Sequence, residues 1–206
     1  MKRNSGTVTR HRWLILFSHP SDFTPVCTTE FIAFAKAFDR FQELNCDLLG
    51  LSIDSLFSHL VWTQNIKEKF GVEIPFPIIE DLSMNVTNAY GMIQPSASDT
   101  SDVRTTFLID PRGILRAMVY YPMSNGRSVQ EFLRLLQALQ TSDQHKVATP
   151  EDRQPGDKVI VPPPSSVAAL QARLEEEGVD CDDWYFCRKS LDEQKTRSVV
   201  SAAGPA

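Results

Sequence analysis

The chain has 206 residues, 42% of them hydrophobic and 23% charged, with a formal net charge of −5 and a pI near 5.4. These values are typical of a globular protein with a sizeable core. They argue against a basic surface for nucleic acid, and no apolar run approaches the ~18 residues of a membrane-spanning helix. Four cysteines are too few for a disulfide-stabilised scaffold, so we expect a cytoplasmic protein whose cysteines are catalytic or incidental.

The first part of the chain predicts alternating strands and helices. Apolar runs bounded by polar residues predict strands, and apolar residues at helical spacing predict helices. Pro25 favours the start of the first helix, and Gly71 favours the end of the second. In chain order, the predicted elements are a strand over 13–17, a helix from Pro25 through Phe41, a strand over 47–54, a helix over 58–70 and a short strand over 76–79.

A hairpin and a strong helix follow. The strands are predicted over 105–109 and 114–120, and the turn between them contains a Pro and a Gly at positions that fit a tight hairpin. Ser128 is predicted to cap a helix that ends at Leu139, with Glu131 at the capping-box position. Together these elements predict an α/β fold with a mixed central sheet.

Prolines become frequent after residue 144, which predicts a change of domain. The region contains one strand-like run over 158–161 and a charged helical stretch over 167–177, and the residues from about 190 are predicted to be disordered. We therefore predict a main domain over residues 1–145 and a small C-terminal domain or arm over residues 146–206.

The segment from His19 to Glu30 carries the strongest chemical signal. Two prolines separate the first strand from the first helix, which predicts a strand, an irregular loop and a helix. Cys27 would lie in the first helical turn, where free backbone N–H groups and the helix dipole favour a thiolate nucleophile. A free cysteine beside an apolar run is more often a core thiol, but the prolines and the nearby hydroxyl of Thr24 favour a reactive one.

The motif Pro20-x-x-x-Thr24-x-x-Cys27 resembles the peroxiredoxin active-site signature, and its flanking residues resemble the long-tailed branch that includes the one-Cys enzymes. The resemblance extends over about residues 13–189 and includes Val103–Pro111, Tyr120–Ser128 and 147–157. It implies a thioredoxin-like fold. It also implies an antioxidant peroxidase that reduces hydrogen peroxide and alkyl hydroperoxides without metal, haem or flavin.

The resemblance also implies the roles of the main site residues. Cys27 would attack the peroxide O–O bond and become a sulfenic acid. Thr24 would offer its hydroxyl to the thiolate and the peroxide, and Pro20 would shield the site from water. Arg104 would favour the thiolate and hold a peroxide oxygen.

Three further residues are candidates for supporting roles. Arg127 corresponds to a second arginine near the site. His19 would donate to the peroxide or orient Glu30 or Arg127, although a loop histidine is more often a surface residue. Glu30 would orient the arginines, and its ordinary role would be a favourable charge in the first helical turn.

The tail contains a second cysteine pair, Cys181 and Cys187, separated by five residues. This spacing is poor for a metal site, while a buried structural pair remains open. The resemblance to prokaryotic long-tailed members implies instead that one cysteine resolves the Cys27 sulfenate through an intersubunit disulfide. We favour Cys187 as resolving and Cys181 as accessory, and we interpret Cys46 as a core thiol.

The implied partners are an external dithiol reductant, with thioredoxin as the default, and further copies of the chain in a homodimer or ring. A thioredoxin-type oxidoreductase is excluded because Cys27 does not begin a C-x-x-C pair. A chaperone-like or redox-signalling oligomer remains an alternative, to be separated by comparing turnover with holdase activity. Related proteins have more sequence before the first strand, so a shortened and weakly active member is a third alternative.

Overall fold

A five-stranded mixed sheet forms the centre of the main unit of the fold. The computed structural model describes residues 11–92, 103–174 and 176–191, and the chain divides into two compact units, Met1–Leu133 and Arg134–Ala206. The strand order is β3-β2-β1-β4-β5, and β1 pairs parallel with β2 and antiparallel with β4. The strands are β1 Trp13–Ser18, β2 Cys46–Ser52, β3 Ile78–Glu80, β4 Arg104–Ile109 and β5 Leu115–Tyr121.

The helices begin and end largely at the residues that the sequence indicates. Pro25 occupies the first turn of its helix, Ser55 accepts a hydrogen bond from the Ser58 N–H, and Gly71 ends the same helix at a φ of 68°. The Ser128 hydroxyl accepts from the Glu131 N–H at 3.3 Å. The helices are α1 Pro25–Lys36, α2 Phe38–Glu43, α3 Leu56–Phe70, α4 Asn85–Ala89 and α5 Val129–His145.

Two helix boundaries differ from the prediction. The first predicted helix is interrupted at Ala37, whose N–H donates to the carbonyls of both Ala33 and Phe34, so the last turn of α1 tightens and α2 begins as a separate helix. Helix α5 continues past Leu139 to His145. The apolar pattern stops at Leu139, but the polar residues that follow include no Gly or Pro, so nothing ends the helix there.

The core of this unit is aromatic and lies against β1. Phe17 of β1 is fully buried, and its ring lies 4.3 Å from that of Phe34 and 5.4 Å from that of Phe31. Phe31 also contacts Trp62 of α3, at 4.6 Å between ring centroids. Truncating such a side chain to alanine typically costs about 3–5 kcal/mol, so this cluster fixes α1 firmly against the sheet.

The second unit contains a small antiparallel sheet of order β6-β8-β7. Its elements are β6 Val159–Val161, α6 Val167–Leu174, β7 Asp180–Asp183 and β8 Phe186–Lys189. Strands β7 and β8 form a hairpin that the sequence did not indicate. The end of the chain that the sequence predicts to be disordered lies beyond residue 191, outside the described residues. Within the described ranges, no helix is long and apolar enough to cross a membrane.

Candidate active site

The loop between β1 and α1 places Cys27 at the start of a helix, as predicted. The His19 N–H donates to the Leu51 carbonyl at 3.0 Å, which continues the β1–β2 pairing into the loop. Thr24 has extended backbone angles, and its carbonyl accepts the first helical hydrogen bond from the Thr28 N–H at 3.0 Å. Cys27 therefore lies in the first turn of α1, and its side chain is fully buried.

Arg104, from the start of β4, contacts the sulfur of Cys27. Its Nη1 lies 3.2 Å from Cys27 Sγ and also donates to Glu30 Oε2 at 2.8 Å. Its Nε donates to the Met123 carbonyl at 2.9 Å, which fixes the guanidinium plane. The arginine is only 3% exposed, so a full positive charge is held next to the sulfur in a site closed to water.

Glu30 joins the two predicted arginines. Its Oε1 accepts from the backbone N–H of Arg127 at 2.7 Å and from Arg127 Nε at 2.9 Å, and its Oε2 accepts from Arg127 Nη2 at 2.8 Å. Arg127 Nη1 donates in addition to the Thr105 carbonyl and the Thr106 hydroxyl. Glu30 lies beyond the first turn of α1, not within it as the sequence suggested. Its carboxylate forms ion pairs with both arginines instead.

The charge of Glu30 is held by these contacts. Burial by itself would raise the pKa of the carboxyl, but the hydrogen bonds and charge of Arg127, and then the charge of Arg104, keep that pKa below its ordinary value. Glu30 is therefore an anion at neutral pH, and it neutralises one of the two buried guanidinium groups.

Thr24 and Pro20 lie in the loop before Cys27. The Thr24 hydroxyl donates to the Ser21 carbonyl at 2.8 Å and makes no side-chain cap bond to α1. Its oxygen lone pairs therefore remain able to accept a hydrogen bond. Pro20 is buried two residues after the end of β1, and it has no N–H group that would need a partner.

His19 is bonded to a residue that sequence reasoning missed. Its Nε2 lies 2.8 Å from Asp22 Oδ1, and the second oxygen of Asp22 lies 2.8 Å from Nδ1 of His59 in α3. All three side chains are buried. His59 shares the inward face of α3 with Trp62 and Ile66 at helical spacing, a pattern that could have indicated a buried histidine.

Among the described residues, the same three side chains also form the one cluster whose atoms could bind a metal ion. The candidate atoms of His19, Asp22 and His59 all lie within 4.8 Å of one another. They already pair with one another at hydrogen-bond distance. A metal ion would have to separate them, so we interpret the group as a hydrogen-bonded chain.

The remaining cysteines fall into two classes. Cys46 is a free, buried thiol, and burial followed by the charge of Asp47 raises its pKa to about 12, as suits a core residue. Cys181 and Cys187 are joined by a disulfide within the β7–β8 hairpin. Cys187 is fully buried and Cys181 is partly exposed.

Comparisons with known proteins place the chain in a family. Residues 4–118 match the AhpC/TSA family, and residues 138–177 match the C-terminal domain of 1-Cys peroxiredoxin. The chain is 54% identical over 190 residues to a peroxiredoxin of Aquifex aeolicus, covering 87% of this chain and 85% of the relative. It is 53% identical over 192 residues to one of Methanosarcina mazei, covering 89% and 87%. The chain belongs to the peroxiredoxin family.

Solved structures of peroxiredoxins share the fold. The yeast mitochondrial 1-Cys peroxiredoxin is 39% identical at a TM-score of 0.78, covering 88% of this chain and 87% of that one. Peroxiredoxin 6 of Arenicola marina is 33% identical at the same TM-score, covering 87% and 86%. The predicted thioredoxin-like fold is confirmed, and as a peroxiredoxin the protein is a thiol-dependent peroxidase.

Proposed function

We propose that Cys27 is the peroxidatic residue and that it reduces hydrogen peroxide and small alkyl hydroperoxides to water or alcohol. The observation that carries this proposal is the distance of 3.2 Å between Arg104 Nη1 and Cys27 Sγ. A guanidinium donor at this distance stabilises a thiolate and is also close enough to bond a peroxide oxygen. Of the two thiols that the structure describes as free, only Cys27 has such a donor beside it.

In the proposed step, the Cys27 thiolate attacks the nearer peroxide oxygen and the O–O bond breaks. The sulfur becomes a sulfenic acid, and the departing oxygen takes a proton and leaves as water or alcohol. Negative charge grows on the departing oxygen during the step, so the fixed donor of Arg104 lowers the barrier. Thr24 accepts the hydrogen bond of the incoming hydroperoxide, and Pro20 excludes water.

Glu30 and Arg127 act in this scheme by holding Arg104. Glu30 accepts from both arginines, so the guanidinium of Arg104 keeps one orientation while its charge is only partly neutralised. Arg127 in turn is anchored to β4 through the Thr105 carbonyl. The two residues are positioning residues rather than reacting ones. His19 belongs to a separate chain of contacts, because its observed hydrogen bond goes to Asp22.

The tail cysteines complete the proposed cycle. The thiol of Cys187 attacks the Cys27 sulfenic acid, water leaves, and a disulfide forms, between subunits as the resemblance implies. Cys181 then attacks the Cys187 sulfur, which releases Cys27 as a thiol and leaves the Cys181–Cys187 disulfide. The disulfide in the hairpin supports this second step because it places the two sulfurs in bonding contact. An external dithiol reduces that disulfide and is itself oxidised.

The proposed reductant is a thioredoxin-like protein. The yeast relative has a thiol-resolving mechanism that runs via glutathione/thioredoxin systems.

We also propose the cytoplasm as the location, since its reducing conditions keep free thiols such as Cys27 and Cys46 reduced. The proposed domain boundary stays at residues 145 and 146, because α5 runs without a break to His145.

A homo-oligomer is part of the same proposal, as a dimer or a larger ring. The outward face of α3 exposes Phe57, Leu60 and Val61, of which Phe57 is 77% exposed. The edge strand β5 exposes Met118 and Tyr120. Exposed apolar faces and an unpaired sheet edge are features that subunit contacts usually cover.

The test is hydrogen peroxide consumption with a dithiol reductant by the wild type, Cys27→Ser, Cys187→Ser and Cys46→Ser. We expect loss of turnover in the first two variants and full turnover in the third, which is the matched control for a buried thiol. A disulfide-linked dimer that either of the first two substitutions removes would support the intersubunit step. Turnover by Cys27→Ser would refute the proposal, and turnover by Cys187→Ser alone would leave a one-Cys cycle.

A further inference from the structure

Helix α3 contacts the segment around Cys27 at two points, one on each side of the cysteine. Before Cys27, His59 Nδ1 lies 2.8 Å from Asp22 Oδ2. After Cys27, Trp62 Nε1 donates to the Thr28 hydroxyl at 3.3 Å. His59 and Trp62 are separated by one helical turn, so a single face of α3 supports both ends of the reactive segment.

Asp22 is the centre of a buried chain of hydrogen bonds. Its two carboxylate oxygens bond His19 on one side and His59 on the other, and its backbone N–H donates to Asp54 Oδ2 at 2.9 Å. The ring nitrogen Nδ1 of His19 is buried and has no hydrogen-bond partner among the described residues, whereas His59 interacts in addition with the backbone carbonyl of Ile79. A buried polar atom without a partner is costly, so Nδ1 of His19 requires an explanation.

The protonation states of His19, Asp22 and His59 follow from their contacts. Burial would raise the pKa of Asp22, but its bonds to His19 and His59 lower that pKa to about 2, so Asp22 is an anion. Burial would lower the pKa of His59, but its bond to Asp22 and the charges of Asp22 and Asp54 raise it. Burial dominates at His19 and lowers its pKa despite Asp22. These contacts favour an anionic Asp22, a neutral His19 and protonation of His59.

A neutral His19 that donates to Asp22 can exist in one tautomer only. Its proton must reside on Nε2, which leaves Nδ1 as an unprotonated acceptor. The ring is held by stacking on Trp62, at 5.1 Å and 28°, and by an edge contact with Phe31 at 4.8 Å. Phe31 follows Cys27 by one turn of α1, so the ring of His19 belongs to the layer that packs against the reactive turn.

We propose that His59 is a positioning residue for the peroxidase reaction: by bonding Asp22 it fixes His19 as the Nε2–H tautomer with a free Nδ1 and holds residues 19–24 in register with Cys27. The inference rests on the proposed role of Cys27. It assigns a function to the buried histidine of α3 that neither motif spacing nor the arginine cluster accounts for.

Removing the imidazole of His59 is expected to change the pH at which His19 takes up a proton. In His59→Leu, Asp22 keeps His19 and the Ser58 hydroxyl as partners but loses His59, and the anion draws a proton onto His19 Nδ1 at a higher pH than before. In His59→Asn, the amide nitrogen can replace Nδ1 as donor to Asp22 without the charge. The groups that face His59 are Asp22, Asp54 and the Ile79 carbonyl, with the His19 ring at 6.1 Å between centroids.

The first readout is the tautomer itself. The chain has four histidines, and long-range ¹H–¹⁵N NMR of the ¹⁵N-histidine protein separates the two neutral tautomers and the cation. We expect His19 of the wild type to be in the Nε2–H form at neutral pH, and to protonate at a higher pH in His59→Leu than in the wild type. A wild-type His19 with its proton on Nδ1, or an unchanged titration in His59→Leu, would overturn the inference.

The second readout is the rate constant for oxidation of Cys27 by hydrogen peroxide, followed against pH by tryptophan fluorescence. We expect His59→Leu to be slower by about tenfold, the effect of losing one hydrogen bond to a charged group, with a new pH dependence that matches the NMR titration. His59→Asn should recover most of the rate. Equal rates and pH profiles in all three proteins would contradict the proposal.

Two controls separate positioning from simple structural support. His145→Asn makes the same substitution at the end of α5 and should leave rate and tautomer unchanged. Trp62→Phe removes the donor to Thr28 but keeps a ring against His19, so we expect a slower reaction with the wild-type pH profile. Cys27→Ser tests the proposed function separately, because the NMR readout of His19 does not require turnover. If His59→Leu does not fold, His59→Asn and the wild-type tautomer still decide the matter.

Discussion

Glu30→Gln is the substitution whose effect can be worked out most fully from the structure. The carboxylate accepts four hydrogen bonds, three from Arg127 and one from Arg104. A glutamine can keep the two bonds to Oε1, but its amide NH2 faces the donors of both arginines at the position of Oε2. Two guanidinium N–H groups then lack an acceptor in a buried site, and one buried positive charge is no longer neutralised.

Breaking a buried ion pair from one side typically costs about 3–5 kcal/mol, and two lost hydrogen bonds to charged groups give a similar value. For a chain of this size, each kcal/mol lowers Tm by about 2–4 °C. We therefore expect Tm to fall by roughly 10 °C or more, measured by scanning calorimetry. Glu73→Gln is the matched control, since Glu73 pairs with Lys67 on the surface, and its Tm should not change.

The contribution of Glu30 to the free energy of unfolding depends on pH in a defined direction. The pKa of Glu30 is lowered in the folded protein, so its contribution to stability is complete above the unfolded value of 4.5 and is lost as pH falls through the folded value. Wild-type stability should therefore decrease in acid more steeply than that of Glu30→Gln. A Tm within 2 °C of wild type at neutral pH, or parallel acid profiles, would refute the idea that Glu30 supports the buried arginines.

Three further outcomes are expected. Arg104→Met should slow oxidation of Cys27 by about 10²–10³-fold, the usual effect of removing one donor from developing charge; stopped-flow rates above a tenth of wild type would contradict the assignment. Cys46 should resist iodoacetamide at pH 8 in the folded protein and react on unfolding, because its pKa is raised to about 12; mass spectrometry would reveal a labelled native Cys46. Phe57→Glu should reduce the oligomer size in sedimentation velocity, and an unchanged sedimentation coefficient would exclude this face from the subunit contact.

Local features of the fold could be predicted from the sequence because single residues determine them. Pro25 begins α1, Gly71 ends α3 in a left-handed conformation and Ser128 caps α5. The break at Ala37 could not be predicted, because Phe38 and Phe41 continue the apolar spacing of α1 and hide the change of helix. Periodicity reports which face is buried but not whether the backbone stays in one helix.

The site is harder to predict because its contacts join distant parts of the chain. Glu30 is separated from Arg104 by 74 residues and from Arg127 by 97, and only the family resemblance brought them together. The Asp22–His59 contact spans 37 residues and was missed, because an aspartate in a polar loop and a histidine on a helix each have an ordinary explanation. Neither residue indicates its partner until the fold has placed α3 against the loop.

The charges around Cys27 also depend on the oxidation state of the sulfur. Arg104 and Arg127 carry two positive charges, which Glu30 and a Cys27 thiolate match one for one in a region closed to water. A sulfenic acid or a disulfide is neutral, so the first product leaves one buried guanidinium without a counter-charge, which is a strongly destabilising state. If Cys27 reacts as proposed, the reaction thus weakens the charge pairing that favoured it, and the sulfur becomes easiest to expose when the proposed second thiol has to reach it.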